Sequence, residues 1–352
     1  MNHETKRSAQ KTNCNRANKT KSPEKRQEYM NKRKPIRCVS ILKMRQIISN
    51  YLLLGSIVAI PSVSASAQEN RLATASTDLE KSSQPGETSW ETESDVGYVG
   101  GSSAKFQGKQ LGNSDAYNVA ISAGTRITLN NDWFLKFGLG SDNYFLGSVA
   151  GEPIPDAIHT LHLNTGVGYH WNDQWTFTAL LNQSLLRLDD VNGNDIGVSG
   201  GLVAEFKQSP SLTWIFGITG SQYGDVPVLP ILGVHWQINE HYTLEVGIPK
   251  TRLSYNFDSN LNVYGGLDLV GTTFRTENDL GTKTGLPQYN NAVATYRDIR
   301  LGVGVSYRFW RGIRAEAETG CSVYRQINYQ DINQSIDFNP SPYVRVGLSV
   351  RF

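Results

Sequence analysis

The sequence predicts an all-β fold: a closed, antiparallel, up-and-down barrel of about 12–14 membrane-spanning strands. An N-terminal signal helix and a disordered segment are expected to precede it. Three observations predict it. Side chains alternate between apolar and polar with a period of two over most of the chain. Many of the alternating runs are longer than the ~5–6 residues usual in globular proteins and match the ~9–11 that a tilted spanning strand needs. Short turns flanked by aromatic residues alternate with longer links, as in barrels with short turns on one side and loops on the other.

The alternation is clearest near the C-terminus. From Arg297, the residues Ile299, Leu301, Val303, Val305, Tyr307 and Phe309 alternate with Asp298, Arg300, Gly302, Gly304, Ser306 and Arg308. A strand sends successive side chains to opposite faces, so one face here is apolar and the other polar or glycine. The run from Ile313 to Val323 opposes Arg314, Glu316 and Glu318, with Tyr324 on the polar face. The last run sets Val344, Val346, Leu348, Val350 and Phe352 against Arg345, Gly347, Ser349 and Arg351. Up to fourteen such runs are present, at 95–106, 117–129, 133–147, 158–171, 175–188, 196–207, 212–223, 231–238, 242–248, 251–257, 261–276, 296–309, 313–327 and 342–352. If 242–257 forms one bent element, or an edge run is lost, the number is twelve.

Short turns are expected at Asn130–Asp132, Asn172–Gln174, Gln208–Ser211, Asn239–His241, Asp258–Asn260 and Trp310–Gly312. Longer links fall at 107–116, 148–157, 189–195, 224–230, 277–295 and 328–341, with a single very short one at Pro249-Lys250. Trp133, Trp171, Trp175, Trp236, Tyr242 and Trp310 flank the short turns. Rings with an apolar body and a polar edge favour the membrane–water boundary, so these residues are expected to form a girdle.

The N-terminal part reads differently. Of 34 basic and 32 acidic residues, residues 1–67 hold 14 and 3, leaving 20 and 29 for the rest. Such asymmetry points to segments with different fates. Lys43 and Arg45, the apolar run Tyr51–Ile60, the break at Pro61 and the small residues Ala65-Ser66-Ala67 follow the order of a secretory signal peptide, cleaved near Ala67/Gln68. The basic stretch before it, including Lys32-Arg33-Lys34, is read as part of this leader, and no nucleic-acid partner is expected. The long basic stretch leaves two readings: translation starting at Met30 or Met44, or a genuinely extended leader from Met1. Residues 68–94 are rich in Ser, Thr and Glu without periodicity and are expected to be disordered; a plug in the lumen is the sharper alternative. Cys14, Cys38 and Cys321 offer no disulfide framework and no zinc spacing.

The ending on Phe352 after an alternating strand resembles the C-terminal signal of bacterial outer-membrane barrels. Val246-Gly247-Ile248-Pro249-Lys250 with Tyr255, and Tyr296 through Gly304 with Tyr307, resemble an uncharacterised outer-membrane barrel family, domain of unknown function 6268, over about residues 95–352. The resemblance implies an integral outer-membrane location in a Gram-negative bacterium, contact with outer-membrane lipid, and handling by the secretion and barrel-assembly machinery, with Phe352 as assembly signal. Both termini are then expected at the periplasm. It implies no chemistry.

Candidate functional residues follow from phase. Arg126, Lys136, Glu205, Arg252, Asp298, Arg300, Arg308, Arg314, Glu316, Glu318, Arg345 and Arg351 fall on the face opposite the apolar one, as do His162, His235, Glu245 and Asp268. A charge on the lipid face costs about 2–4 kcal/mol at the midplane, so this face must line the lumen. A mixed-charge lumen fits a porin-like channel or passive transporter of small solutes. It fits equally a non-conducting barrel filled by ion pairs, whose loops at 277–295 and 328–341 meet an external partner. A barrel-embedded hydrolase is a weaker third reading, because no spacing assembles a nucleophile and base, and no phosphate loop, metal or cofactor signature occurs.

Overall fold

The computed structural model describes residues 86–352 apart from 148, 150, 189, 190 and 224–227. The expected leader, signal helix and cleavage site, and the segment from 68 to 85, lie outside the described residues. The strands are β1 (Thr88–Phe106), β2 (Lys109–Thr128), β3 (Trp133–Leu146), β4 (Ala157–His170), β5 (Trp175–Leu185), β6 (Ile196–Ser209), β7 (Leu212–Ser221), β8 (Val228–Gln237), β9 (Tyr242–Val246), β10 (Lys250–Asn256), β11 (Leu261–Arg275), β12 (Val293–Trp310), β13 (Ile313–Tyr329), β14 (Gln334–Phe338) and β15 (Ser341–Arg351). One short helix, α1 (Leu280–Thr284), sits in the β11–β12 loop.

All pairings are antiparallel, and sequential strands are neighbours from β1 to β13. β14 and β15 make one stave. Both pair with β13 and with β1, and the ladder is interrupted at Asn339-Pro340, where proline has no N–H to donate. Closure runs from Glu91↔Arg351 to Val99↔Tyr343 between β1 and β15. The result is a closed barrel of fourteen staves. Residues 242–257 form two strands and not one bent element, because β9 and β10 pair with each other from Arg252↔Glu245 to Tyr255↔Tyr242.

The outer surface explains the alternation. Val303, Val346, Leu202, Leu139, Ile121 and Val96, each on a different stave, are exposed, while their strand neighbours of opposite phase point inward. An exposed apolar band around a closed wall, with every strand hydrogen-bonded to its neighbours, is what a hydrocarbon environment requires. The molecule has the architecture of a membrane-spanning β-barrel. The short turns lie at one end, here the turn end, and the long loops at the other, the loop end.

Four features differ from the sequence reading. First, β1 starts at Thr88, so residues 88–94 of the segment expected to be disordered belong to the wall. Their Ser, Thr and Glu content hides an alternation in which Glu91 and Asp95 point to the lumen and meet Arg351 at 2.6 Å and Arg345 at 2.7 Å. Second, the long link at 107–116 is a tight hairpin. β1 and β2 run on to Phe106↔Lys109, and Gln107 and Gly108 take positive φ values of 48° and 77°. Third, most of 328–341 is strand, since β13 extends to Tyr329 and β14 occupies Gln334–Phe338. Fourth, the β12–β13 register shifts between Ile299/Tyr324 and Arg300/Ser322. This bulge reverses the phase of β13, so Tyr324 is exposed on the outside while Arg325, Ile327 and Tyr329 turn inward.

The barrel is pinched towards the loop end. β11 leaves the line of the wall there, and Thr272 reaches β4 across the lumen, with Thr160 Oγ1 3.2 Å away. The Arg275 amide donates to Leu186 O at 3.0 Å, just beyond β5. Consequently both faces of β11 from Val270 to Phe274 are buried.

Candidate functional site

The inward side chains fall into three layers. The loop half is filled by an apolar core. Tyr144, Tyr296, Tyr329, Phe274, Ile327 and Ile336 converge there, each at most 2% exposed. The loops contribute to it. Ile154 and Tyr289 fold into the mouth, Tyr289 stacks edge-on against Tyr329 at 4.8 Å, and the Tyr329 hydroxyl donates to Pro153 O. A polar clasp ties the rim. Arg187 donates to Asn278 at 2.7 Å and Asn291 at 2.9 Å, and Asp195, fully buried, forms an ion pair with Arg275 at 2.9 Å and accepts from Arg187 at 3.4 Å.

Below this core lies a layer of ion pairs. Arg345 meets Asp95 at 2.7 Å, Glu316 at 3.0 Å and Glu318 at 3.1 Å. Arg252 meets Asp268 and Glu318 at 3.3 Å and Glu316 at 3.4 Å, and lies over the Tyr264 ring. Tyr343 donates to Glu318. Arg300, 1% exposed, pairs with Asp298 at 2.7 Å and reaches Asn118 at 3.2 Å. Both signs therefore pair off across β1, β10, β11, β12, β13 and β15. Arg252 and Arg345 each meet three carboxylates and Arg300 meets one, so removing one member would strand another.

The remaining charged candidates lie elsewhere. Arg126 stacks on Phe134 and bonds His170 Nε2 at 2.9 Å, with Lys136 over the same ring at 5.3 Å. Glu205 is buried on β6. Arg351 pairs with Glu91, Arg314 is half-buried, and Arg308 is exposed near the turn end. Asp95, Tyr264, Tyr343, Asn118 and Arg325 belong to the lumen but were not singled out from sequence. Tyr264, Tyr343 and Asn118 share the phase of the charged residues Asp268, Arg345 and Arg126 on their own strands, which is the signal that could have found them, whereas β1 carries no such marker for Asp95. Arg325 lies beyond the bulge, where alternation misleads. It donates to Ser114 O at 2.7 Å and Ser102 Oγ at 2.9 Å.

Nearest the turn end, beside the ion pairs, is a cavity of about 180 Å³. Its two sides differ. Val203, Ile215, Ile231 and the turn Gly247-Ile248-Pro249 make one side largely apolar, interrupted by His235 and Glu245, whereas Arg345, Glu316 and Arg314 line the other and Lys250 follows directly on the turn. Lys250 and Arg314 have no ion pair among the described residues. A second lining pair, His235 Nδ1 and Glu245, stands 3.4 Å apart. Among the described residues no group of three or more His, Cys, Asp or Glu side chains is placed to hold a metal ion.

The predicted girdle residues all lie at the turn end. Trp133 tilts against Tyr169 at 4.7 Å, Trp175 stacks on Phe206 at 4.6 Å and Tyr242 meets Tyr255 edge-on at 5.1 Å. Trp171, Trp236 and Trp310 are exposed there. Trp90, missed by the sequence reading, joins them through β1. Its backbone exchanges hydrogen bonds of 3.1 and 3.0 Å with Phe352, whose ring is 78% exposed.

A family model described as domain of unknown function (DUF6268) matches residues 147–352, a shorter span than 95–352, starting just after β3. No curated protein matches the sequence. Among solved structures, an outer membrane channel from Pseudomonas putida F1 is similar at 9% identity, over 78% of this chain and 98% of that one, with a TM-score of 0.43. The Pseudomonas putida toluene transporter TodX is similar at 13% identity over 76% and 90%, with a TM-score of 0.39. The translocator domain of the autotransporter NalP from Neisseria meningitidis is similar at 12% identity over 81% and 95%, with a TM-score of 0.36.

Proposed function

Starting from the fact that the chain belongs to the family described as domain of unknown function (DUF6268), we propose that its barrel is a selective passive conduit for a small amphipathic solute and not an open diffusion pore. The observation that carries this reading is the two-sided cavity. An open porin keeps a water-filled lumen along its whole length. Here buried side chains fill the loop half, and the free space lies beside them, apolar on one side and charged on the other. Its volume compares with the ~150 Å³ apolar cavity that admits a benzene-sized guest. A ring or short chain would lie against Ile215, Ile231 and Ile248, with a polar head towards Lys250 and Arg314. In this reading the turn end, which carries Phe352, faces the periplasm, and Phe352 serves the assembly machinery.

The paired charges favour a second reading, in which the network only fills a structural barrel. One pair of measurements separates them. Protein reconstituted in planar bilayers is expected to show no large steady conductance. In lipid nanodiscs it is expected to give a saturable saturation-transfer NMR signal with benzoate that empty discs lack. A steady nanosiemens current would overturn the closed lumen, and an absent benzoate signal would leave the structural reading standing.

A further inference from the structure

We infer that the wall between β8 and β11 holds a side window through which the lumen cavity communicates with the hydrocarbon of the bilayer; the inference deepens the conduit reading and rests on it for the identity of the solute. The argument begins with strand length. β9 has 5 residues and starts at Tyr242, at the aromatic level of the turn end. At ~3.3 Å per residue and ~40° tilt it climbs about 13 Å, roughly half of the ~25 Å apolar band. The Gly247-Ile248-Pro249 turn therefore lies at mid-membrane depth, and the wall stops there.

The neighbouring strands continue. The β8–β9 register ends at Val234↔Val246, yet β8 runs on to Val228. The β10–β11 register ends at Lys250↔Asp268, yet β11 runs on to Arg275. Among the described residues neither overhang has a strand partner on the side facing the gap. The overhangs also diverge, because β11 turns into the lumen towards Thr160 while β8 stays in the wall, with Leu232 67% exposed on its lipid face. Towards the loop end the gap is roofed where Gln330 Nε2 bridges Tyr223 O at 2.6 Å and Thr295 Oγ1 at 3.0 Å.

Unpaired strand edges are not tolerated against lipid; non-helical backbone at membrane depth persists where it lines a cavity. The β8 overhang meets that condition, since Ile231 and Gly233 line the lumen cavity, as does the turn that forms the sill. The occupant that satisfies every surface is an amphipathic organic acid. Its apolar body crosses the sill against Ile231 and Ile248. Its carboxylate stays inside, beside Lys250 and Arg314, the two lining cations without an ion pair among the described residues.

Site-directed spin labels test the window independently of any solute. In a chain whose native cysteines are replaced by serine, single labels are placed at Ile231, Ile248, the lipid-facing Leu232 and the inward Thr178 on β5. In liposomes, the ratio of oxygen to nickel-chelate accessibility at Ile231 and Ile248 is expected to shift towards the value at Leu232. Values equal to that at Thr178 would overturn the window even if benzoate binds. An open window without a benzoate signal would instead overturn the conduit reading and leave the window standing. Lys250→Gln is expected to weaken benzoate about tenfold without moving either label's accessibility, as loss of one charge-assisted contact does. Unchanged affinity would remove the assignment of the acid head to Lys250.

Discussion

Arg345 illustrates how much of the lumen rests on single residues. It touches three carboxylates and is 8% exposed, so its removal takes the ion-pair partner from Asp95 and leaves Glu316 and Glu318 to Arg252. Arg345→Ala is expected to destabilise the barrel by about 3–5 kcal/mol, the usual result of breaking a buried ionic group on one side only. Arg308→Ala, at an exposed position near the turn end, is expected to change stability by less than about 0.5 kcal/mol. Urea unfolding of the two variants in lipid vesicles measures the difference, and equal effects would mean that the network contributes nothing. Both arginines were visible in the sequence as members of one inward face. Their unequal weight was not, because phase reports which way a side chain points and says nothing of what stands opposite. The same holds for the inward glycines. A Cβ at Gly304 would strike the Tyr264 ring, and one at Gly168 the Phe134 ring. Alternation marked these glycines as lumen residues, and only the cross-strand register shows which ring fills each gap.

At the scale of elements, the short turns were legible because their chemistry is local. Four of them use the same device. Asn130, Asn172, Asn239 and Asp258 each accept, through Oδ1, the backbone N–H groups two and three residues on, at 2.6–2.9 Å. Such Asx turns fix the chain reversal before any distant contact forms. Asp258 alone among these four titrates, and the amides of Asn260 and Leu261 hold its carboxyl below the usual value. A carboxyl depressed on folding contributes stability that is fully present above its unfolded value of ~3.9 and is lost as pH falls through the folded value. Asp258→Ala is therefore expected to lower the urea midpoint at pH 7, with the gap to the parent closing as the pH drops below about 4. Asn130→Ala is expected to show a gap that does not change over that range. Parallel pH behaviour of the two variants would discount the charge on Asp258. The long links were less legible for a complementary reason. Residues 107–116 and 328–341 are polar at loop-like density, yet the first are held as strand by their own hairpin with β1, and the second partly by strands far away in the chain, as in Phe106↔Ile336.

For the whole molecule, the number of staves could be read from the chain because each spanning strand must cross the same apolar thickness and so carries its own count of alternations. The pinch at the loop end and the gap above β9 could not. They depend on contacts such as Thr160 with Thr272 and Arg275 with Leu186, between strands far apart in the chain. Closure is the property on which all else depends, and it contains one of the misread parts of the wall. Residues 88–94 look unstructured by composition, but they supply the turn-end portion of the β1–β15 seam, from Glu91↔Arg351 to Ser94↔Leu348. They also pair with β2 on the other side, from Thr88↔Ile127. A barrel lacking them would expose two strand edges to lipid at its seam, and each unsatisfied backbone group there costs several kcal/mol. It would also leave Arg351 without Glu91, and Phe352 without the amide and carbonyl of Trp90. Two chains refolded into detergent micelles therefore separate the readings: one beginning at Glu87 and one beginning at Asp95. The first is expected to give a compact band on unheated gels that shifts on boiling. The second is expected to lose most of that band, although Arg345 keeps its partner Asp95 and the remaining ladder is intact. Equal folded fractions for both would return residues 88–94 to the status of a tail and place the seam's stability wholly between Asp95 and Val99.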